Sequence, residues 1–280
     1  MENQFKVTFW GVRGSIACPG YNMNYYGGNT SCIEMQIATE RLIFDGGTGL
    51  RLLGNALMKQ LPVKANMFFT HSHWDHIQGF PFFTPAFVKG NHFKIYGPSA
   101  PNGYTLKQSL HEQMLHPNFP VPLQIMQGNL DFYEIEAGDS LEIGEIEVTT
   151  TLLNHPGEAI GYRVNYHGHS ACYITDTEHF CNRPDYNIVN LVRGCDLLII
   201  DATYTDEEYY DPRFPRQGWG HSTWQEAVKI AQLAQIKKLV LFHHDPSHDD
   251  EFLDNLIEQV TPVFPNTIMA REGLTIDLTI

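Results

Sequence analysis

His71-Ser72-His73-Trp74-Asp75-His76 brings three imidazoles and one carboxylate into six residues. Imidazole nitrogen and carboxylate oxygen suit a borderline divalent ion such as Zn²⁺. One tetrahedral ion cannot take all four donors from so short a loop, but two adjacent ions can share them. His71 and His73 would turn to one ion, and Asp75 and His76 to the other. The apolar run Met67-Phe68-Phe69 comes directly before, so the donors sit where a buried strand gives way to a loop. The competing reading is a solvated polar loop, but donors this dense after a buried strand have little structural use.

The elements that must position these donors are mostly strands. Apolar and alternating runs predict strands over 5–10, 31–37, 41–45 and 65–69, and near 92–96, 131–136, 141–153, 159–166 and 170–175. Later strands are expected at 195–200, 238–242 and 273–279. Helical spacing covers 49–60, where Leu50, Leu53, Leu57 and Leu61 share a face, and returns at 104–115, 184–193, 222–235 and 249–260. Ser222 and Thr223 fit a cap for the helix at 222–235, with Gln225 and Glu226 in its first turn. Strands punctuated by helices predict an α/β fold of sheets covered by helices on their outer faces. No repeat or linker divides residues 1–280, so one domain is expected. Within it, prolines 98, 101, 117, 120 and 122 mark 97–130 as an inserted helix and loop that could serve as a lid.

The net charge of −14 disfavours a broad basic surface for nucleic acid, and the 42% hydrophobic content excludes a disordered chain. No run of apolar residues is long enough for a membrane helix. The five cysteines, at 18, 32, 172, 181 and 195, form no CxxC pair and cannot all pair within the chain. With no leader-like start in MENQFKVTFW, a reducing cytoplasm is expected, and the cysteines read as buried small apolar residues.

His71-x-His73-x-Asp75-His76 resembles the HxHxDH motif of the metallo-β-lactamase superfamily. Further matching stretches follow along nearly the whole chain: Asp45-Gly46-Gly47-Thr48-Gly49, His155, Asp176 and His243. The resemblance implies an αββα sandwich of two mixed sheets flanked by helices, holding two divalent ions, with Zn²⁺ expected and Mn²⁺ as the alternative. His71, His73 and His155 would hold the first ion, Asp75, His76 and His243 the second, and Asp176 would bridge them. His244 competes with His243, which is preferred because Asp245-Pro246 then opens a turn. Asp45 reads as orienting a ligand or as a residue that leads into a helix.

Gly220-His221-Ser222-Thr223 is similar to the histidine motif of the tRNase Z branch of phosphodiesterases, which implies a catalytic His221 acting as general acid. Asp201 stands where that branch usually carries a supporting Glu, and Ile200 where it carries His. The nucleophile would then be a hydroxide bridging the ions, with Asp75 among the catalytic groups. A tRNA-processing member needs a long basic arm, which the short stretch between His155 and Asp176 does not supply. Gly11-Val12-Arg13-Gly14-Ser15 and Tyr26-Gly27-Gly28-Asn29-Thr30-Ser31 look like a bacterial and phage group of small-substrate phosphodiesterases; tight turns alone are the other reading.

The expected function is therefore hydrolysis of cyclic nucleotides or a similar small phosphodiester. The alternatives are RNA 3′-processing of the tRNase Z type and lactonase or thioesterase chemistry on the same fold. Substrate contacts are sought at Arg13, and at Tyr104, His116 and Phe119 of the 97–130 segment, with a surface ion pair as the other reading of Arg13. The expected partner is a small phosphodiester, with no long nucleic acid and no membrane; a homodimer is a family-level expectation.

Overall fold

Phe5, Val7 and Phe9 are fully buried, while Lys6, Thr8 and Trp10, which alternate with them, are not. That alternation lays one face of the first strand on a core and leaves the other near solvent. The structure is a computed structural model that describes residues 4–279. Among these residues the strands in chain order are β1 (Phe5–Gly11), β2 (Cys32–Ile37), β3 (Glu40–Phe44), β4 (Lys64–Phe68), β5 (His92–Gly97), β6 (Asn129–Glu134) and β7 (Ser140–Ile143). They continue as β8 (Ile146–Leu153), β9 (Ala159–Tyr166), β10 (His169–Ile174), β11 (Leu197–Asp201), β12 (Lys238–Phe242), β13 (Thr267–Met269) and β14 (Thr275–Asp277). The α-helices are α1 (Gly49–Leu57), α2 (Trp74–Ile77), α3 (Leu106–Glu112), α4 (Tyr186–Val192), α5 (Asp206–Tyr209), α6 (Trp224–Ala234) and α7 (Asp250–Val260).

Two sheets form, in the orders β14-β1-β2-β3-β4-β5-β6 and β13-β12-β11-β10-β9-β8-β7. Strands β3 to β6 run parallel in one, and β10 to β13 in the other. Rings from both sheets fill the space between them. Phe44 stacks on Phe68 at 5.2 Å and meets Tyr162 edge-on at 5.3 Å, while Tyr173 meets Phe242 at 5.5 Å. On the outer faces, α1 buries Leu50, Leu53 and Leu57 over the first sheet. Helices α4, α6 and α7 cover the second, with Val189, Ala231 and Leu253 over Leu198 and Leu241. The layers are helix, sheet, sheet and helix, the expected αββα sandwich.

The predicted strand over 141–153 divides into a hairpin, β7 and β8, turning at Gly144 with φ +61°. Strand β13 was not anticipated; three residues carry too little alternation to stand out. Helix α1 ends at Leu57 and leaves Leu61 44% exposed, because Pro62 disfavours helical backbone in the residue before it. Thr223 caps α6 by accepting a bond from the Glu226 amide, whereas Ser222 bonds His179 instead. The 97–130 segment carries the chain from β5 to its parallel neighbour β6, a crossover that parallel pairing requires. It buries Leu106, Leu110, Met114 and Leu123 in the outer layer. All five cysteines are free; Cys32, Cys172 and Cys195 are buried as expected, but Cys181 is exposed and Cys18 half-buried. No helix among the described residues is long and apolar enough to cross a membrane.

Candidate metal centre

The donor residues sit at or just past the carboxyl ends of six strands. Asp45 follows β3, His71 lies three residues past β4, His155 and Asp176 lie two residues past β8 and β10, Asp201 ends β11 and His243 follows β12. Open parallel sheets collect ligands at this edge, where strand ends and their loops converge. Two bonds lock the sheets together there: Ile160 N–H donates to Thr70 O at 3.0 Å, and Tyr162 Oη donates to Phe69 O. Asp45, Asp176 and His243 have φ of +59°, +53° and +62°, left-handed backbone that residues with a side chain adopt uncommonly. Such strain clusters where a site over-determines the backbone.

The donors gather into overlapping groups, and two of these do not include His221. His71, His73 and His155 form one, and Asp75, His76, Asp176 and His243 the other; within each, the donor atoms lie within 4.8 Å of one another. Asp176 faces both. Its Oδ1 lies 3.9 Å from His71 Nε2 and 3.7 Å from His155 Nε2, while its Oδ2 lies 3.1 Å from His76 Nε2 and 3.2 Å from His243 Nε2. His73 is the exposed member, so the cleft opens on its side.

The chemistry of the set fits two divalent ions. Nε2 of His71 and of His76 is buried with no hydrogen-bond partner. His76 Nε2 lies within 3.3 Å of both Asp75 and Asp176, yet the angles form no bond. A buried nitrogen left so costs about 1–3 kcal/mol, which a coordinated ion would remove. The opposite ring nitrogens are tethered, which aims the free ones inward. Nδ1 of His76 is 2.8 Å from Asp45 Oδ2, Nδ1 of His71 is 3.0 Å from Thr70 Oγ1, and Nδ1 of His155 is 2.9 Å from Gly220 O. Asp45 also accepts from Thr70 N–H at 2.8 Å and from Tyr173 Oη at 2.9 Å, so it orients the loop and a ligand together.

Electrostatics agree. Burial lowers the pKa of His71, His73 and His155, keeping them neutral with lone pairs available. Burial also opposes charge on His76, but Asp176, Asp75 and Asp45 outweigh it and push its pKa well up. The same site holds Asp75 and Asp176 well below the usual carboxylate range against the opposing effect of burial, Asp75 through His76 and His243, and Asp176 through His243 and His76. The buried carboxylates thus call for positive charge at the point where the second ion would sit.

His221 stands at the border of the two groups. Its Nδ1 is 2.8 Å from Asp201 Oδ2 and 4.0 Å from Asp176 Oδ1. Asp201 is fully buried and also accepts from Thr203 N–H at 3.0 Å and Thr203 Oγ1 at 2.9 Å. The shorter Asp therefore reaches the imidazole directly. Burial opposes protonation of His221, but Asp201 prevails and raises its pKa to about 9.

Other expected residues lie elsewhere. Arg13 is fully buried and donates to the carbonyls of Gly27, Asp245 and His248, so it clamps the β1–β2 connection to the loop after β12 and has no exposed surface to offer a phosphate in the cleft. This corrects both readings of Arg13, as a phosphate contact and as a surface ion pair. His116 is exposed, and Phe119 packs edge-on against Phe82 at 5.6 Å. Tyr104 is half-buried just ahead of α3. His244 Nε2 turns away to Ala270 O at 2.9 Å, and burial drops its pKa to about 3, so His243 is the residue brought to the centre. Sequence reasoning missed Thr70, Tyr173, Thr203 and Glu178. Their roles rest on hydrogen bonds that only the fold assembles: Thr70 and Tyr173 to Asp45, Thr203 to Asp201 and His243, and Glu178 from Gly218, Gly220 and Tyr209.

Comparison with known proteins matches this geometry to kinship. The model of the beta-lactamase superfamily domain matches residues 40–244. Ribonuclease Z of Synechococcus sp. is 25% identical over an alignment of 329 positions that covers 98% of this chain and 98% of that protein. Since the chain has 280 residues, that relative carries at least 49 positions without a counterpart here. The metallo-beta-lactamase fold protein YhfI from Bacillus subtilis shares the fold with a TM-score of 0.72 at 20% identity, covering 98% of this chain and 99% of that one. Human tRNase Z, short form, aligns with a TM-score of 0.67 at 22% identity over 98% and 100% of the two chains. With a family match spanning most of its length and every motif residue at the shared strand edge, the chain belongs to the β-lactamase superfamily of hydrolases.

Proposed function

We propose that the chain is a dinuclear metal-dependent phosphodiesterase that hydrolyses an RNA phosphodiester, in the manner the name ribonuclease Z implies for its relatives. The observation that carries the reading is the His221–Asp201 pair, 2.8 Å apart, set beside the carboxylate that faces both donor groups. A protonated imidazole held by a buried carboxylate at the rim of a cation cradle is suited to donating to a leaving oxygen. Bound in the two groups, divalent ions would neutralise the phosphate and activate water. The chain's own part is to orient. Asp201 occupies Nδ1 of His221 and leaves Nε2 for the substrate. Asp45, Thr70 and Gly220 hold the ring planes of His76, His71 and His155. The buried Asp75 and Asp176 supply the charge that retains cations.

Kinship over the whole chain favours RNA above the cyclic nucleotide expected from sequence. A small phosphodiester remains the second reading, favoured by the −14 charge and by the positions of the relative that this chain lacks. The deciding experiment offers precursor tRNA, 3′,5′- and 2′,3′-cyclic nucleotides and bis-p-nitrophenyl phosphate to the Zn²⁺- and Mn²⁺-loaded protein, beside His76→Ala and His221→Ala. Cleavage of the RNA supports the first reading, and hydrolysis confined to the cyclic esters supports the second. No turnover of any phosphodiester by a protein holding two ions refutes both. A lactone or thioester turned over equally by His221→Ala would place the chemistry outside phosphodiesters.

A further inference from the structure

The loop between α5 and α6 carries His221 near its end and presents Tyr210, Phe214 and Trp219 to solvent. These rings have no place in the core, yet the loop that carries them is held firmly. Glu178, two residues beyond Asp176, accepts from Gly218 N–H at 2.7 Å, Gly220 N–H at 2.9 Å and Tyr209 Oη. Gly220 O is tied to His155. Trp219 therefore sits between two anchored glycines, two residues from the proton donor. Its ring meets Phe214 edge-on at 5.5 Å. Arg216 lies 5.1 Å from both the Phe214 and Tyr204 rings, and the Tyr204 ring is 6.2 Å from that of His221. Arg216 Nη1 donates to Glu208 O and Phe214 O at 3.0 Å each, which fixes the guanidinium behind the rings.

An exposed aromatic face on a rigid support is the surface on which nucleobases stack, and stacking needs no basic field. That resolves a conflict in this chain, whose charge of −14 repels a polyanion. We infer that Trp219 and Phe214, backed by Arg216, form a stacking subsite for the nucleobase on the leaving-group side of the scissile phosphate. The inference rests on the phosphodiesterase reading, because His221 defines that side. Substrate is then held by the centre at its phosphate and by one π-face at its base, with no tracking of the backbone.

The test titrates the zinc-loaded protein calorimetrically with adenosine 5′-monophosphate and with ribose 5-phosphate, which differ only in the base. The expected wild-type preference for the nucleotide is about 5–150-fold, the range that one stacked base supplies. Trp219→Ala should bring the two affinities within about 3-fold of each other, and Trp219→Phe should keep most of the preference, since a π-face remains. Zinc content and circular dichroism of both variants report an intact centre and fold. Equal binding of the two ligands by the wild type, or an undiminished preference in Trp219→Ala, overturns the subsite, while wild-type turnover of bis-p-nitrophenyl phosphate leaves the phosphodiesterase reading standing. Loss of a dimer in Trp219→Ala with the preference intact also overturns it, making the patch a self-interface. No turnover of any phosphodiester removes the reading and the inference together.

Discussion

Gly14 presses against the ring of His243, and a single methyl group there should cost the centre one ion. An alanine Cβ at position 14 would stand 2.4 Å from both Cε1 and Nδ1 of His243. Carbon atoms in ordinary contact are about 3.4–4 Å apart, so the ring must retreat by about 1 Å. It has nowhere to go. His243 is fully buried, its backbone is already left-handed at φ +62°, and its ring lies between those of His76 at 5.4 Å and His221 at 4.9 Å. Nε2 now sits 3.2 Å from both Asp75 and Asp176, and metal–ligand distances tolerate only about 0.2 Å. Gly14→Ala should therefore weaken the ion at Asp75, His76 and His243 by at least about 10–100-fold and lower turnover by on the order of 100-fold. Overpacking should also cost about 1–3 kcal/mol of stability. Zinc per chain, measured after dialysis at a series of buffered free-zinc concentrations, should show one site shifted and one unchanged. The mirror experiment is Gly220→Ala, whose Cβ would lie 2.2 Å from His155 Nδ1 and which adds strain at φ +84°. It should strike the other site. If Gly14→Ala binds two ions with wild-type affinity, the assignment of His243 to the centre is refuted.

Three further outcomes are expected. His221→Ala should lower phosphodiester turnover by about 10²–10⁴-fold while zinc per chain stays unchanged, which separates a proton donor from a ligand. Asp45→Ala should remove the partner of His76, Thr70 and Tyr173 at once, lowering zinc affinity about 10–100-fold and depressing the melting temperature of the chelated protein. The pH dependence follows from His221, whose folded pKa of about 9 lies above its unfolded value of about 6.5. Its stabilisation is complete below about pH 6.5 and is lost as pH rises through about 9, a change on the order of 3 kcal/mol. Denaturant titrations of chelated wild type and His221→Asn should converge between pH 6.5 and 10; parallel curves would show that the pair contributes nothing to folding.

Much of this centre was legible because its chemistry is local. Three His and one Asp within six residues specify metal donors whatever the fold, and Gly220-His221-Ser222-Thr223 marks a histidine just ahead of a capped helix. Period-two runs such as 5–10 and fully apolar ones such as 239–242 predicted most strands, since burial of one face or two is written in the residue types. Arg13 was not legible. Its flanking glycines suggest an accessible loop, and only the meeting of residues near 13, 27, 245 and 248 turns it into a buried clamp. The 97–130 segment was likewise opaque, because its prolines hide a crossover whose purpose is the pairing of β5 with β6.

Composition and spacing thus determined that the chain offers a dense set of metal-type donors at a strand end and alternating strands to carry them. The tertiary structure alone decided that Asp176 turns one oxygen to each donor group, that His243 and not His244 completes the second, and that Asp201 reaches His221 at 2.8 Å. It also left the Trp219 ring exposed and set it edge-on to Phe214. The physical reason is reach. A motif records neighbours along the chain, whereas these contacts join the ends of six strands brought together by packing two sheets on one aromatic core.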